Sequence, residues 1–243
     1  MLASDLKVIW SMVRGAGSAA EQGERMNRLY RHQAEGYDRF REGFLHGRRD
    51  LIERLEVPEG GHVVELGCGT GRNLEFFGRR LGTFGLVTLV DLCRPLLDVA
   101  RRRKEGRGWP RVEVVEADAT KWRPEDGRPV DCVYLSYSLT MIPDWFRALE
   151  NAVAMLAPGG SLGVVDFTVS RKFPDNGGVV HRPLARAFWR WWFAHDNVFL
   201  NPDHLPFLES VTGRIHRSER FGKVPYLPFL RAPYFIYIGR KRP

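Results

Sequence analysis

The chain has no apolar stretch long enough to cross a bilayer, which takes about 20 consecutive residues, so no spanning helix is expected. Its start carries no secretory pattern. Asp5 and Lys7 interrupt any apolar run, and no small-residue cleavage site follows one. Cysteine is scarce: Cys68, Cys93 and Cys132 make an odd set without C-x-x-C spacing. That excludes a disulfide framework and a thiolate zinc site, and leaves three small packing residues in a reducing, cytoplasmic compartment. No grouping of His, Cys and carboxylates has metal-ligand spacing, so no metal is expected. Internal repeats, low-complexity tracts and a second domain are also absent from the pattern. Acid is in short supply: 37 Lys and Arg stand against 29 Asp and Glu, a net charge of +8. The excess favours an anionic partner, either nucleic acid or anionic lipid, without choosing between them.

Against these absences, glycine is concentrated where it carries information. Val63–Val64–Glu65–Leu66–Gly67–Cys68–Gly69–Thr70–Gly71 reads as a buried strand, a glycine-dense turn and the start of a helix at Arg72. Glycines let backbone approach a ligand closely or take positive φ, and the following helix turns free N–H groups toward the turn. The spacing is G-x-G-x-G, not the dinucleotide G-x-G-x-x-G. Leu86 to Asp91 is a second buried strand ending in a carboxylate. It lies about twenty residues past the glycines, where a dinucleotide fold places its ribose-binding acid. Val112 to Asp118 repeats the strand-then-acid pattern. Leu156–Ala157–Pro158–Gly159–Gly160–Ser161–Leu162 is a turn that leads into another strand.

Strands expected at 62–66, 86–91, 111–116, 130–136 and 161–168 alternate with helices at 72–80, 94–105 and 143–156. Alternation of this kind gives an α/β, Rossmann-like doubly wound parallel sheet, with its crevice at the carboxyl ends of the strands. Helices are also expected over 1–14, 21–37 and 46–55, then from Pro183 to about His195 and near 203–211. Two last strand-like runs, 214–221 and 233–240, would close a seven-stranded, mostly parallel sheet with an antiparallel C-terminal strand. Within one domain, residues 1–57 read as a helical lid or substrate segment and 58–168 as the cofactor-binding core. Residues 169–243 read as a substrate- or membrane-facing insertion with the final strands.

In order and spacing, the four motifs resemble those of the class I S-adenosylmethionine-dependent methyltransferases. The resemblance implies that cofactor, bound by Glu65, Gly67, Cys68, Gly69 and Gly71 around its amino-acid part, with Glu65 either orienting the loop or accepting from the ammonium. Asp91 would hold the ribose diol and Leu92 cover an adenine face. Asp118 would accept the adenine amino group, with the Ala119 N–H on a ring nitrogen. Ser136 and Tyr137 would lie beside the methyl. The donor is already activated, so the protein mainly aligns the reactants. A Tyr, His or carboxylate could orient the acceptor and take its proton; the candidates are His32, Tyr37, Tyr137 and His195, with Tyr30 and Tyr37 also closing over the cofactor.

Two regions bear on the acceptor. Tyr30 to Asp38 places tyrosine and histidine on one short helix. His181 to Asp196 puts Arg182, Arg186 and Arg190 at every fourth position, beside Leu184, Phe188, Trp191 and Trp192, which suits an anionic bilayer interface. Together with His46–Gly47–Arg48, His195–Asp196, His204–Leu205–Pro206–Phe207, Pro225–Tyr226–Leu227–Pro228 and Pro233 to Arg240, these segments are similar to the diacylglyceryl-homoserine N-methyltransferases of betaine-lipid synthesis. That likeness implies three methylations of a lipid amine, a peripheral membrane location and a pathway partner that makes the homoserine lipid. A phosphatidylethanolamine N-methyltransferase is the alternative, and an RNA or small-molecule methyltransferase the next. Leu135–Ser136–Tyr137–Ser138–Leu139 lacks the Asn/Asp-Pro-Pro-Tyr form of many nucleic-acid enzymes, so nucleic acid is not the expected partner.

Overall fold

The computed structural model describes residues 43–174 and 177–242. The lid helices expected over residues 1–37, with Tyr30, His32 and Tyr37, lie outside the described residues. The described chain begins with a short helix, α1 (Arg48–Arg54), and enters the sheet at β1 (His62–Leu66). A 3-10 stretch, Arg72–Thr83, leads to β2 (Leu86–Asp91), α2 (Arg94–Arg107) and β3 (Val112–Glu116). After β4 (Val130–Ser136) come α3 (Trp145–Met155), β5 (Leu156–Phe167), α4 (Pro183–Ala194), α5 (His204–Val211), β6 (Gly213–Val224) and β7 (Leu227–Arg240).

The strands form one sheet in the order β3-β2-β1-β4-β5-β7-β6. All pairings among β1 to β5 are parallel, and β7 runs antiparallel to both of its neighbours. From β1 the chain works outward through β2 and β3, then returns to place β4 on the other side of β1. The strand order therefore reverses between β1 and β4, which in such a sheet opens a crevice at their carboxyl ends.

Every residue of β1 is buried, as a strand covered on both faces requires. Alternation along it splits the core in two. Val63 joins the apolar cluster holding α1 and α4 residues, while Val64 and Leu66 join the one holding α3 and α5 residues. Local signals end the helices where expected. Gly108 takes left-handed dihedrals after α2, its N–H bonding to Glu105 O, and the Trp109 N–H bonds back to Lys104 O, which satisfies carbonyls the helix leaves open. Pro183 opens α4 at a position where a missing N–H costs nothing.

Three elements differ from the sequence expectation. The helix expected at 72–80 is a 3-10 stretch to Thr83, split by non-helical Gly78 (φ 55°, ψ −129°); short helical pieces often take this tighter winding. β5 begins at Leu156, so the Pro158–Gly159–Gly160 turn falls inside the strand as an irregularity, with a register shift between Val130 and Cys132. β6 and β7 form a hairpin that extends past the expected ends at Phe221 and Pro233. Pro225, Pro228 and Pro233 fall within this extension, as prolines can at a sheet's margin and at turns.

Candidate functional site

A cavity opens where the strand order reverses. Its wall is drawn from the turn after β1, the ends of β2 and β4, the segment after β3 and the start of α1. Gly67 has φ of 73°, and a Cβ there would overlap the Ser138 side chain, so only glycine lets the turn pass so close to the loop after β4. The N–H groups of Gly67 and Cys68 both bond to Val90 O, at 2.8 and 3.1 Å, which ties the turn to β2. Gly69, also at positive φ, faces the cavity. Gly71 does not line it. A Cβ at Gly71 would come within 2.9 Å of Leu89 Cδ1, so this glycine serves close packing behind the turn.

Asp91, buried at the end of β2, accepts the Gly69 N–H at 2.7 Å through Oδ2 and the Cys93 N–H at 2.8 Å through Oδ1. A carboxylate has about four lone-pair positions, so both oxygens can still accept from a ligand. Leu92 follows in the wall. Asp118 is half-buried. Its Oδ1 takes the N–H and the hydroxyl of Thr120, both at 2.8 Å, and Oδ2 lies 3.9 Å from Lys121 Nζ. Asp118 and Ala119 both line the cavity. So does Ser136, whose buried Oγ has no hydrogen-bond partner among the described residues.

Glu65 corrects one sequence expectation. It is fully buried behind the turn and does not line the cavity. Asn73 Nδ2 donates to Oε1 at 2.6 Å, and the Tyr134 hydroxyl to Oε2 at 2.8 Å. Burial pushes its carboxyl up to about 7, against the pull of those two donors. Of the two roles open in the sequence, this geometry suits loop orientation rather than contact with an ammonium.

The candidates for proton transfer fare unevenly. Tyr137 lines the cavity, but its hydroxyl donates to His46 O at 2.7 Å and burial holds the phenol well above its ordinary range. That geometry suits a positioning role. His195 does not reach the cavity. It is exposed at the end of α4, its Nδ1 is 2.8 Å from Trp191 O, and its ring stands edge-on to Trp191. His32 and Tyr37, with Tyr30, remain outside the described residues.

Two wall residues were missed as site candidates. Arg48 is buried in the cavity wall, with Nε 3.2 Å from Leu45 O and Nη1 3.3 Å from Asn73 Oδ1. Asn73 lies between Arg48 and Glu65 and links α1 to β1. A lone arginine before the first strand gives no spacing signal; only the fold brings it to the glycine turn.

This topology, with a glycine turn at the end of its first strand, is the Rossmann-like fold seen in solved methyltransferases. Residues 63–160 match the family model described as a methyltransferase domain. Among solved structures, it is similar to the N-methyltransferase NodS of Bradyrhizobium japonicum WM9, in complex with S-adenosyl-L-homocysteine. The TM-score is 0.64 at 16% identity, over 89% of this chain and 98% of that one. Over 151 residues it is 31% identical to trans-aconitate 2-methyltransferase of Variovorax paradoxus (strain S110), covering 62% of this chain and 53% of the relative. It is 34% identical over 122 residues to a ubiquinone/menaquinone biosynthesis C-methyltransferase of Pseudomonas entomophila (strain L48), covering 50% of this chain and 47% of the relative. The chain thus spans about half the length of the curated relatives it matches.

Proposed function

We propose that the protein binds S-adenosylmethionine in this cavity and catalyses methyl transfer to the amine of a lipid headgroup. The observation that carries the cofactor reading is that the glycine turn after β1, Asp91 at the end of β2 and Asp118 after β3 line one cavity, the turn passing so close to Ser138 that Gly67 admits no Cβ. The residues fit the group. Asp91 offers two oxygens to a vicinal diol, Asp118 Oδ2 and the Ala119 backbone face an aminopurine edge, and Ser136 has an unpartnered buried hydroxyl. Arg48 supplies a cation for the amino-acid carboxylate. When bound, the cofactor supplies an activated methyl on a sulfonium.

The protein then has to bring an acceptor in line and keep water out. The wall beyond Ser136 is neutral: Tyr137, Met141 and Ile142. From Tyr137 an aromatic series leads outward. Its ring lies 4.6 Å from Phe167, Phe167 lies 4.3 Å from Phe193, and Phe193 lies 5.7 Å from Trp189 on α4. Aromatic faces beside the transfer point suit an amine that becomes a quaternary cation. The series also connects that point to a helix with an exposed apolar face, which supports a lipid acceptor and a peripheral membrane location. Among the described residues no helix is long and apolar enough to cross a membrane.

A second reading is methylation at carbon of a lipophilic quinone precursor, favoured by one of the two curated relatives named above and compatible with the same apolar wall. Calorimetry with S-adenosylhomocysteine tests the cofactor site; no heat of binding would end both readings. Incubation with membrane extracts and a deuteromethyl donor separates them. One to three labelled methyls on amine lipids support the first, and a single label on a quinone precursor supports the second.

A further inference from the structure

The outward side of α4 is built the wrong way round for a surface helix. Trp189 and Phe193 point into the core, toward Phe44 and Phe167. At about 100° per residue, the opposite face carries Leu184, Ala187 and Trp191. Leu184 is 86% exposed and Trp191 61%. Arg190 stands on one shoulder of that face, Arg186 is half-buried on the flank between Arg190 and the core side, and Arg182 just precedes the helix. The helix contains no acid, and among the described residues none of the three arginines forms an ion pair.

Several exposed apolar groups follow β5 in the chain, while Ile215 is exposed at the opposite end of the sheet. Phe173, Val180, Leu184, Trp191 and Phe199 all follow β5, and Phe229, 98% exposed, is in the part of the β6–β7 hairpin that extends past the end of β5. Phe199, whose N–H bonds to Thr140 O after β4, and Phe229 lie at the carboxyl ends of the strands, the end where the cavity opens.

We infer that the outward face of α4 seats the protein on an anionic bilayer, with Leu184 and Trp191 entering the acyl boundary and Arg186 and Arg190 on lipid phosphates. Three cations without ion-pair partners among the described residues, near an apolar ridge, complement a negatively charged, apolar surface. A second copy docked face to face by two-fold symmetry would set the same arginines against one another. The inference deepens the lipid reading and rests on it for its purpose, since docking here would hold the cavity mouth toward the headgroups, but the docking itself is measured without donor or acceptor.

The full chain is sedimented with vesicles of phosphatidylcholine alone or mixed with phosphatidylglycerol. Binding is expected on the mixed vesicles, falling as salt is raised. Arg186→Gln with Arg190→Gln should weaken it about fivefold for each charge removed, and Leu184→Ser with Trp191→Ser should weaken it at both low and high salt. Leu184, Arg190 and Trp191 are exposed and Arg186 is half-buried, so unchanged melting temperatures confirm that each variant is folded. Equal pelleting on both vesicle types, undiminished binding by both variants, or a self-association that the variants abolish in the absence of vesicles would overturn the proposal. Methyl incorporation into detergent-dispersed amine lipid reads the acceptor separately, so a protein that docks without methylating them, or methylates without docking, tells which of the two readings has failed.

Discussion

Asp91 and Gly69 are joined by a 2.7 Å hydrogen bond from the glycine N–H to Oδ2, which ties the end of β2 to the turn after β1. The other oxygen, Oδ1, takes the Cys93 N–H at the start of α2. One carboxylate thus fixes both sides of the crevice where the proposed ribose would rest.

Asp91→Asn is therefore expected to fail twice. The amide can accept one of the two N–H groups but turns its own NH2 toward the other, and a buried donor left unmet costs about 1–3 kcal/mol. It also loses an acceptor for the diol. Calorimetry with S-adenosylhomocysteine should show affinity reduced by about tenfold or more, the worth of one charge-assisted hydrogen bond, together with a lower melting temperature. Unchanged affinity would remove Asp91 from the ligand site.

Gly67→Ala should be more damaging than its size suggests. The residue has φ of 73°, and the added methyl would meet Ser138, whose Oγ donates to Leu66 O at 2.8 Å. Left-handed dihedrals cost a non-glycine residue about 1 kcal/mol or more before any clash is counted. Gly108→Ala is the control: it too is left-handed (φ 62°, ψ 49°), but nothing lies within 4 Å of its Cβ. Thermal melts should show a larger loss for Gly67→Ala, and ligand binding should fall for that variant alone.

Much of this site could be read from the chain because its parts lie at strand ends, where local pattern and function coincide. Val63 to Leu66 and Leu86 to Asp91 are recognisable as buried strands, and the residue after each is committed to the crevice by topology. Arg48 and Asn73 were not legible, because their importance comes from a chain of contacts running from α1 to β1. Glu65 was legible as an important acid but not as a buried one: sequence gives its distance from the glycines, not that Asn73 and Tyr134 occupy both its oxygens. His195 misled because its neighbourhood is rich in aromatics and arginine, while the turn of the helix carries it to the exposed side. The hairpin ran past its prolines because register, not local propensity, extended the ladder.

Tyr137→Phe separates a positioning role from a basic one. The hydroxyl bridges the loop after β4 to His46 O, and the residue holds positive φ at 55°. Losing the bond should cost about 1–2 kcal/mol of stability, the carbonyl being part-buried. If Tyr137 only positions, methyl transfer should slow without any change in the shape of its pH profile, since a phenol held well above its usual range does not titrate near neutrality. A pH profile that loses a limb in the variant would restore Tyr137 as the base.

His204→Leu should relieve acid sensitivity. The imidazole at the start of α5 is fully buried, and neither ring nitrogen has a hydrogen-bond partner among the described residues. Burial pushes its pKa down to about 4 from 6.5. Between those values the unfolded chain binds the proton that the folded chain refuses, so this histidine lowers stability as pH falls from about 6.5 toward 4. The variant's melting temperature relative to the parent should therefore be highest near pH 4–5 and decline until about pH 7, where the difference levels off. A difference that is flat with pH would mean the ring is not buried in its neutral form.

Glu65→Gln should show the opposite slope. Here the folded pKa is raised, from 4.5 to about 7, with burial as the leading cause. Between those values the folded state holds more protons than the unfolded one. Its contribution to stability is thus fully present below about pH 4.5 and is lost as pH rises through 7. Asp166, raised from 3.8 to about 6, adds a loss of the same sign, while His204 opposes both over 4 to 6.5. The net curve of the parent is therefore ambiguous, and the difference between parent and variant is the informative quantity. Glutamine keeps the shape and can accept from Asn73 while donating to the Tyr134 oxygen, so the variant should fold and become more stable relative to the parent as pH rises from 5 to 8. The cavity wall is left intact, so donor affinity should change little at pH 6. A large loss of affinity there would instead give Glu65 direct contact with the donor and reverse the role its buried hydrogen bonds indicate.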